Sequence, residues 1–448
     1  MLRHKALRLL GLLVALALLV AACEPDDEVD DEADPVEEEE PEEEEEEEEP
    51  EEEPEEEPEE EPDEEEEAEA PDTDGLLFGY VLPESGPLAF LGPPQIESVN
   101  LAIEDINEAG GVLGEDVSVS GGDEADDAAV ASETVERLIG EGVHAIIGAA
   151  ASGMSTAIVG QVTEAGLVQC SGSNTAPVID EAETGFYTRT APTDVLQSPA
   201  LAEVVIADGN FDVSLMARAD DYGQGFLEEL SVAIEEQGGT ILAEVLYDPE
   251  AASFTADVED AIAEDPEAIV VIGFDEGAQV VADLIEAGYG PDDISLYTAD
   301  GMRSASLWEA VDPDDPAVIE GMRGTAPGAS LEYNERLLDI EGVDDPIFGG
   351  QVYDCVTLIA LAAEAAGSTD PEEFQPELLG VSQDGTECED FAECRDLLED
   401  GEDIDYQGVS GPIEWNETYD VTTATYEIFE FDSEGSPEQL DTVEAQLD

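Results

Sequence analysis

Apolar positions along this chain follow two rhythms. From Leu76 onward, short continuous apolar runs recur in LLFGYVL, HAIIGA, LVQC, DVSLMAR and AIVVIGF. Between them apolar residues return every three or four positions, as at Ile96, Val99, Ile103 and Ile106. Runs of that length read as buried strands and the wider spacing as helices, the first from about Gln95. Further strands are expected at DVSVS, ILAEVLY and ISLYTAD. Helices end on glycine before the next strand in NEAGGVL, TEAGLV, EEQGGTI and IEAGYG. Glycine there supplies a left-handed cap residue. Strand alternating with helix predicts an α/β architecture with mainly parallel sheets. Beyond about residue 410 the pattern turns β-like, in TTATYEIFEF.

One stretch, Val143 to Pro177, concentrates the candidate chemistry. HAIIGA reads as a buried strand that stops in AASG, with a helix starting at about Ser155 and stopping at Gly166. LVQC is a second strand, and SGSNTAP a second small polar loop. Right-handed crossovers put both loops at the carboxyl edge of one sheet, where open α/β sheets bind ligands. Free N–H groups at helix starts favour an anion there. Ser152, Ser173 and Thr175 add hydroxyl donors without charge, which suits a carboxylate held by neutral groups.

Composition adds a location. Residues 1–23 have a basic start, an apolar run of roughly 14 residues and a small-residue end, the pattern of a secretory signal. That run is too short for a comfortable membrane span. Residues 24–74 hold 37 acidic side chains, broken by regular prolines. Such a block cannot bury a core, and reads as a disordered tether, with a cation-binding or protein-binding tail as the alternative. The formal net charge is −110, and Lys5 is the only lysine. About 83 acidic residues against seven arginines remain after residue 74, a spread that suggests adaptation to high salt. Phosphate binding needs clustered basic residues, so nucleic acid is excluded as a partner.

Enzyme patterns are missing. There is no GxSxG, GxGxxG, HExxH or phosphate-loop GK[ST]. His144 sits by an apolar strand and reads as a core histidine, while Arg189 is expected to pair with carboxylates. Cys388 and Cys394, six apart, suit a small loop-closing disulfide in an oxidising compartment. Cys170 and Cys355 are either separate buried thiols or a second bridge. No CxxC occurs and no metal or cofactor is expected.

In order along residues 76 to 430 stand SGPLAFLG with NLAIEDINEAGGVLG, IIGAAASGMSTAI, CSGSNTAPVI, FYTRTAPTD, DDYGQGF, IVVIGFDEGAQ, YTADGMRSASL and YDCVTLIALAAEAAG. Together they resemble the type I periplasmic solute-binding proteins of ABC transporters, the leucine/isoleucine/valine-binding group, in an actinobacterial branch. The leader's Val20-Ala21-Ala22-Cys23 resembles a bacterial lipobox, with Cys23 as the lipidated mature N-terminus. The resemblance implies two α/β lobes, each a mainly parallel sheet flanked by helices, joined by three hinge strands. The lobes would comprise residues 75–193 with 327–410, and 194–326 with 411–448. It implies that Ser152, beside Ala151, and Thr175 bind a ligand α-carboxylate. Ser173 would offer its backbone oxygen to the ammonium, Asp300 would pair with that ammonium, and Tyr222 would close over the ligand. Leu91 and Phe274 stand where aromatic residues can occur, keeping the pocket apolar. Asp194 and Asp354 read as hinge or cap residues. The expected protein is a monomeric, lipid-anchored, extracytoplasmic binding component that delivers an amino acid or small amide to an ABC permease. A receptor ectodomain that senses the same ligand is the alternative.

Overall fold

The computed structural model describes residues 75–177, 186–416 and 418–447. Cys23 and the acidic tract at 24–74 lie outside the described residues. In the first half, β1 (Leu77–Leu82), α1 (Gly92–Ala109), β2 (Ser118–Asp123), α2 (Ala128–Glu141), β3 (Ala145–Gly148), α3 (Ser152–Glu164), β4 (Val168–Ser171) and β5 (Tyr187–Arg189) follow one another. They form a parallel five-stranded sheet in the order β2-β1-β3-β4-β5.

The chain then builds a second sheet. Its elements are α4 (Asp194–Ala207), β6 (Asp212–Arg218), α5 (Asp221–Glu236), β7 (Thr240–Tyr247), α6 (Thr255–Ala261), β8 (Ala268–Ile272), α7 (Gly277–Ala287), β9 (Ser295–Thr298), α8 (Leu307–Val311) and β10 (Arg323–Pro327). From β10 it returns to the first lobe with α9 (Leu331–Leu338), α10 (Gly349–Ala366), α11 (Pro371–Phe374), β11 (Thr386–Cys388), α12 (Phe391–Glu399), β12 (Ile404–Gly408) and β13 (Gly411–Pro412). The last strands, β14 (Thr423–Phe431) and β15 (Pro437–Gln446), form a hairpin that adds antiparallel to β10. The second sheet thus has seven strands, β15-β14-β10-β9-β8-β6-β7.

Each sheet has its own apolar core, with helices covering it. α10 is buried along nearly its whole length against α1, β3 and β4 of the first lobe, so its run of Val, Leu, Ile and Ala shows little helical stripe. A helix apolar all round is a buried one. The two-lobed, helix-flanked parallel architecture expected from the sequence is present.

Three boundaries differ from the sequence expectation. α1 starts at Gly92, because Pro93 and Pro94 occupy first-turn positions that need no N–H partner. α3 starts at Ser152, not Ser155: Ala151 is extended (φ −69°, ψ 139°) and the helix begins at once, Gly153 notwithstanding. β2 lies at Ser118–Asp123 and not at DVSVS, since its pairing with β1 runs from Leu77↔Ser118 to Leu82↔Asp123. Pairing to a neighbour, and not apolarity, defines that edge strand.

Two disulfides close within the first lobe. Cys388–Cys394 spans the β11–α12 turn, and Cys170–Cys355 ties β4 to α10, with Cα atoms 5.7 Å apart. The pairing of Cys170 with Cys355, left open by sequence, follows from α10 packing on the sheet.

Candidate functional site

The carboxyl ends of both sheets face each other, and the candidate residues sit there. Leu91, Ala151, Ser152, Ser173 and Thr175 come from the first lobe, and Tyr222, Phe274 and Asp300 from the second. All eight are buried, none more than 8% exposed. Leu91 and Ala151 belong to the same apolar cluster as Tyr222 and Phe274, so the lobes meet over these side chains.

The first lobe's half is made of loops. Ser171, at the end of β4, donates its hydroxyl to Ala149 O at 2.7 Å and accepts from Asn174 N at 3.1 Å, which folds the SGSNT turn. Ser173 donates its hydroxyl to Gln95 Oε1 at 3.1 Å. Ser152 opens α3 without making a side-chain cap bond, and its N–H and that of Gly153 have no partner within the helix. Thr175 accepts from Asp194 N at 2.8 Å through its carbonyl, and so touches the second lobe's first helix.

Behind the AASG loop stands Glu124, fully buried. It accepts from Ala150 N at 2.7 Å and Ala151 N at 3.0 Å. Burial pushes its carboxyl up to about 8, against the pull of those two N–H bonds. Two of the loop's amides are therefore turned to Glu124 and away from a ligand. Neighbouring acids do related work. Asp123 accepts from Glu84 N and Ser85 N, anchoring the loop that carries Leu91, and Asp127 caps α2.

The second lobe's half is charged and aromatic. Tyr222 lies in the first turn of α5, Phe274 follows β8 and Asp300 follows β9. Tyr222 stacks on Phe274 with ring centroids 5.2 Å apart and points its hydroxyl at Asp300 Oδ1, 3.4 Å away. Gly301 lets these groups converge. A Cβ there would lie 2.6 Å from Gly273 O, 3.0 Å from the Phe274 ring and 3.1 Å from the Tyr222 ring. Gln197 Nε2 donates to Asp300 Oδ1 at 2.8 Å, and burial still raises Asp300 to about 6.

Asp194, read from sequence as a hinge or cap residue, opens α4 just after the chain leaves β5 for the second lobe. It is not a cap, since Thr193 holds the cap position of α4, and its carboxyl is fully buried beside Asp300. The Thr175 hydroxyl approaches it, yet neither carboxyl oxygen reaches hydrogen-bond geometry. Burial first, and then the charge of Asp300, hold its pKa well above the ordinary range. Gln95 Nε2, both polar side-chain atoms of Asn174 and Gln197 Oε1 are likewise buried without a partner. Such atoms are scarce in folded proteins, and each costs about 1–3 kcal/mol. The six atoms named here, from Gln95, Asn174, Asp194 and Gln197, leave this cleft with polar groups that a polar guest could satisfy.

The remaining polar candidates are structural. Arg189 Nε pairs with Asp420 at 2.6 Å, and Asp354 accepts from Tyr406, Val409 N and Ser410 to hold β12 against α10. His144 accepts from Leu77 N at 2.9 Å, at the end of β3 opposite the loop.

Comparison with known proteins gives this arrangement its setting. The family model for periplasmic binding proteins matches residues 77–436. A relative from Halobacterium salinarum, a chemotactic signal transduction system substrate-binding protein, BasB, is 29% identical over 75% of this chain and 82% of its own. A Leu/Ile/Val-binding protein homolog from Brucella melitensis is 22% identical, over 80% and 91%. The crystal structure of a leucine-binding protein from Thermotoga maritima shares the fold, with a TM-score of 0.69 and 22% identity, over 82% of this chain and 98% of that one. The chain belongs to the periplasmic binding protein family, in the type I group that includes the Leu/Ile/Val-binding proteins.

Proposed function

We propose that this chain captures a small zwitterion, a branched-chain aliphatic amino acid before others, between its lobes and delivers it to an ABC permease. The observation that carries this is the two-ended site. Uncharged hydroxyls and free helix-start amides line one side, and the buried carboxyls of Asp194 and Asp300 lie on the other. A zwitterion needs neutral donors for its carboxylate and an anion for its ammonium. Leu91, Ala151, Tyr222 and Phe274 leave an apolar wall for an aliphatic side chain. Within the family, relatives named for leucine, isoleucine and valine support that choice.

The leader with Cys23 supports a lipid-anchored protein on the outer face of the membrane, and residues 24–74 a tether. Its acidity supports a milieu of high ionic strength, where a Debye length of about 3 Å screens neighbouring carboxylates. A second reading, ligand sensing through a membrane partner, has one observation in its favour, the relative named for chemotactic signal transduction.

Calorimetric titration with L-leucine, L-isoleucine, L-valine, short amides and urea in high-salt buffer tests the reading. Saturable binding of a branched-chain amino acid, unchanged on recovery, is expected. Hydrolysis of any of them, or binding of amides alone, contradicts it.

A further inference from the structure

The aromatic pair in the cleft is held from behind by one arginine. Arg218 ends β6, and its guanidinium carbon lies 3.6 Å from the centroid of Phe274, which in turn stacks on Tyr222. Within its own lobe the guanidinium pairs with Asp220 at 2.6 Å and Glu276 at 3.2 Å. Its third contact crosses the cleft: Nη2 meets Asp126 of the first lobe at 3.1 Å. The Arg218 side chain is 4% exposed and that of Asp126 15%, so salt screens this pair far less than a surface one.

Asp126 reaches Arg218 through an unusual turn. Ala125 and Asp126 are both left-handed, at φ 51° and 52°. Consecutive non-glycine residues there are strained and persist only where the surroundings impose them. Asp123, accepting from Ala125 N at 2.8 Å, is one such constraint, and Arg218 is the other. The same turn carries Glu124, which holds the AASG loop. One guanidinium thus lies against Phe274 of the stacked pair in the second lobe and pairs with the turn that shapes the loop in the first.

We propose that Arg218 is a positioning residue for ligand capture, an interlobe clasp that closes on Asp126 while holding Phe274 and Tyr222 flat against the guest. This rests on the proposed function for the identity of the guest and not for the clasp. Burial and the nearby Asp220 and Asp127 hold Asp126 above its ordinary range, with Arg218 pulling it back. Such a pair contributes little beyond its desolvation cost when whole, but breaking it strands buried charge. Closure is therefore sensitive to either partner.

The test uses the full chain carrying Arg218→Met, Arg218→Lys, Asp126→Asn or Arg218→Met with Asp126→Asn. Arg323→Met, whose pairs with Asp208 and Glu430 stay within the second lobe, is the control for lost charge. With L-leucine as probe, Arg218→Met and Asp126→Asn should each raise the dissociation rate about 10- to 100-fold, with association changed less than about 3-fold. The double variant should add little to either, Arg218→Lys should fall between, and Arg323→Met should match wild type. Without ligand, amides 124–128 and 220–223 should exchange about 10-fold faster in Arg218→Met than in wild type or Arg323→Met. Dissociation rates like wild type, or additive single effects, overturn the clasp, as does unchanged exchange at both segments. If wild type takes up no L-leucine, the amino-acid reading fails, and the exchange comparison alone decides the clasp.

Discussion

The two lobes meet the cleft with opposite chemistry built on the same scaffold. Both place loops at the carboxyl ends of parallel strands, yet the first lobe offers serine, threonine and backbone amides. The second offers aspartates, stacked rings and a buried arginine. On the proposed reading, that difference assigns the carboxylate end of a zwitterion to the first lobe and its ammonium to the second. The first lobe's buried acid, Glu124, stands behind the loop, with its carboxyl raised and both oxygens engaged by Ala150 N and Ala151 N.

The sharpest way to break this comparison is to neutralise its charged half. Asp300→Asn keeps the shape while removing the anion that faces an ammonium. Losing a charge-assisted bond in a closed cleft should weaken L-leucine binding by about 2–4 kcal/mol, roughly 30- to 1000-fold. Calorimetry reads this directly, and affinity like wild type would remove Asp300 from the site.

Acid should act on the same half. With its carboxyl raised to about 6, Asp300 protonates as pH falls through that value, and a neutral acid cannot pair with an ammonium. Bound ligand favours the ionised form, so binding releases a proton below about pH 6, and affinity should fall by up to about tenfold per pH unit there. Asp300→Asn should abolish that dependence. A wild-type affinity constant from pH 7 to pH 5 would contradict it.

The neutral half should respond more mildly. Ser152→Ala leaves the helix-start amides in place and should cost about 1–2 kcal/mol of binding. A loss as large as that from Asp300→Asn would show that both lobes contribute alike, against the division drawn here.

The last expected effect concerns stability and not binding. Glu124 has its folded pKa raised from an ordinary glutamate value to about 8. Between those values the unfolded chain loses a proton that the folded chain keeps, so this group's stabilising contribution is full in acid and is lost as pH rises toward 8. One proton changes stability by at most about 1.4 kcal/mol per pH unit. Melts of Glu124→Gln against wild type from pH 5 to 8 should show the wild type alone carrying that downward slope. Parallel curves would mean that Glu124 is already ionised.

The halves also differed in how well the sequence announced them. AASG and SGSNT stand out because hydroxyls and glycines interrupt apolar runs, and position at a strand end is itself a functional signal. Asp194, Asp126 and Glu124 carried no such contrast. Among about 83 acidic residues a carboxyl's role depends on burial and on what it faces, and both arise from long-range packing. Arg218 was equally silent, since a guanidinium at the end of a strand gives no hint of crossing a cleft. The fold was far more legible than the site, because strand runs and glycine stops are local, and the shifts were confined to element ends, the starts of α1 and α3 and the pairing-defined edge strand β2.

Each lobe is proposed to bind one end of a zwitterion. The most direct test titrates wild type with L-leucine, with its decarboxylated amine and with its deaminated acid, in one calorimetric series at high salt. L-leucine should bind saturably and each analogue at least about 100-fold more weakly, since each leaves one set of buried polar groups unpaired. Either analogue binding as tightly as L-leucine would contradict the account.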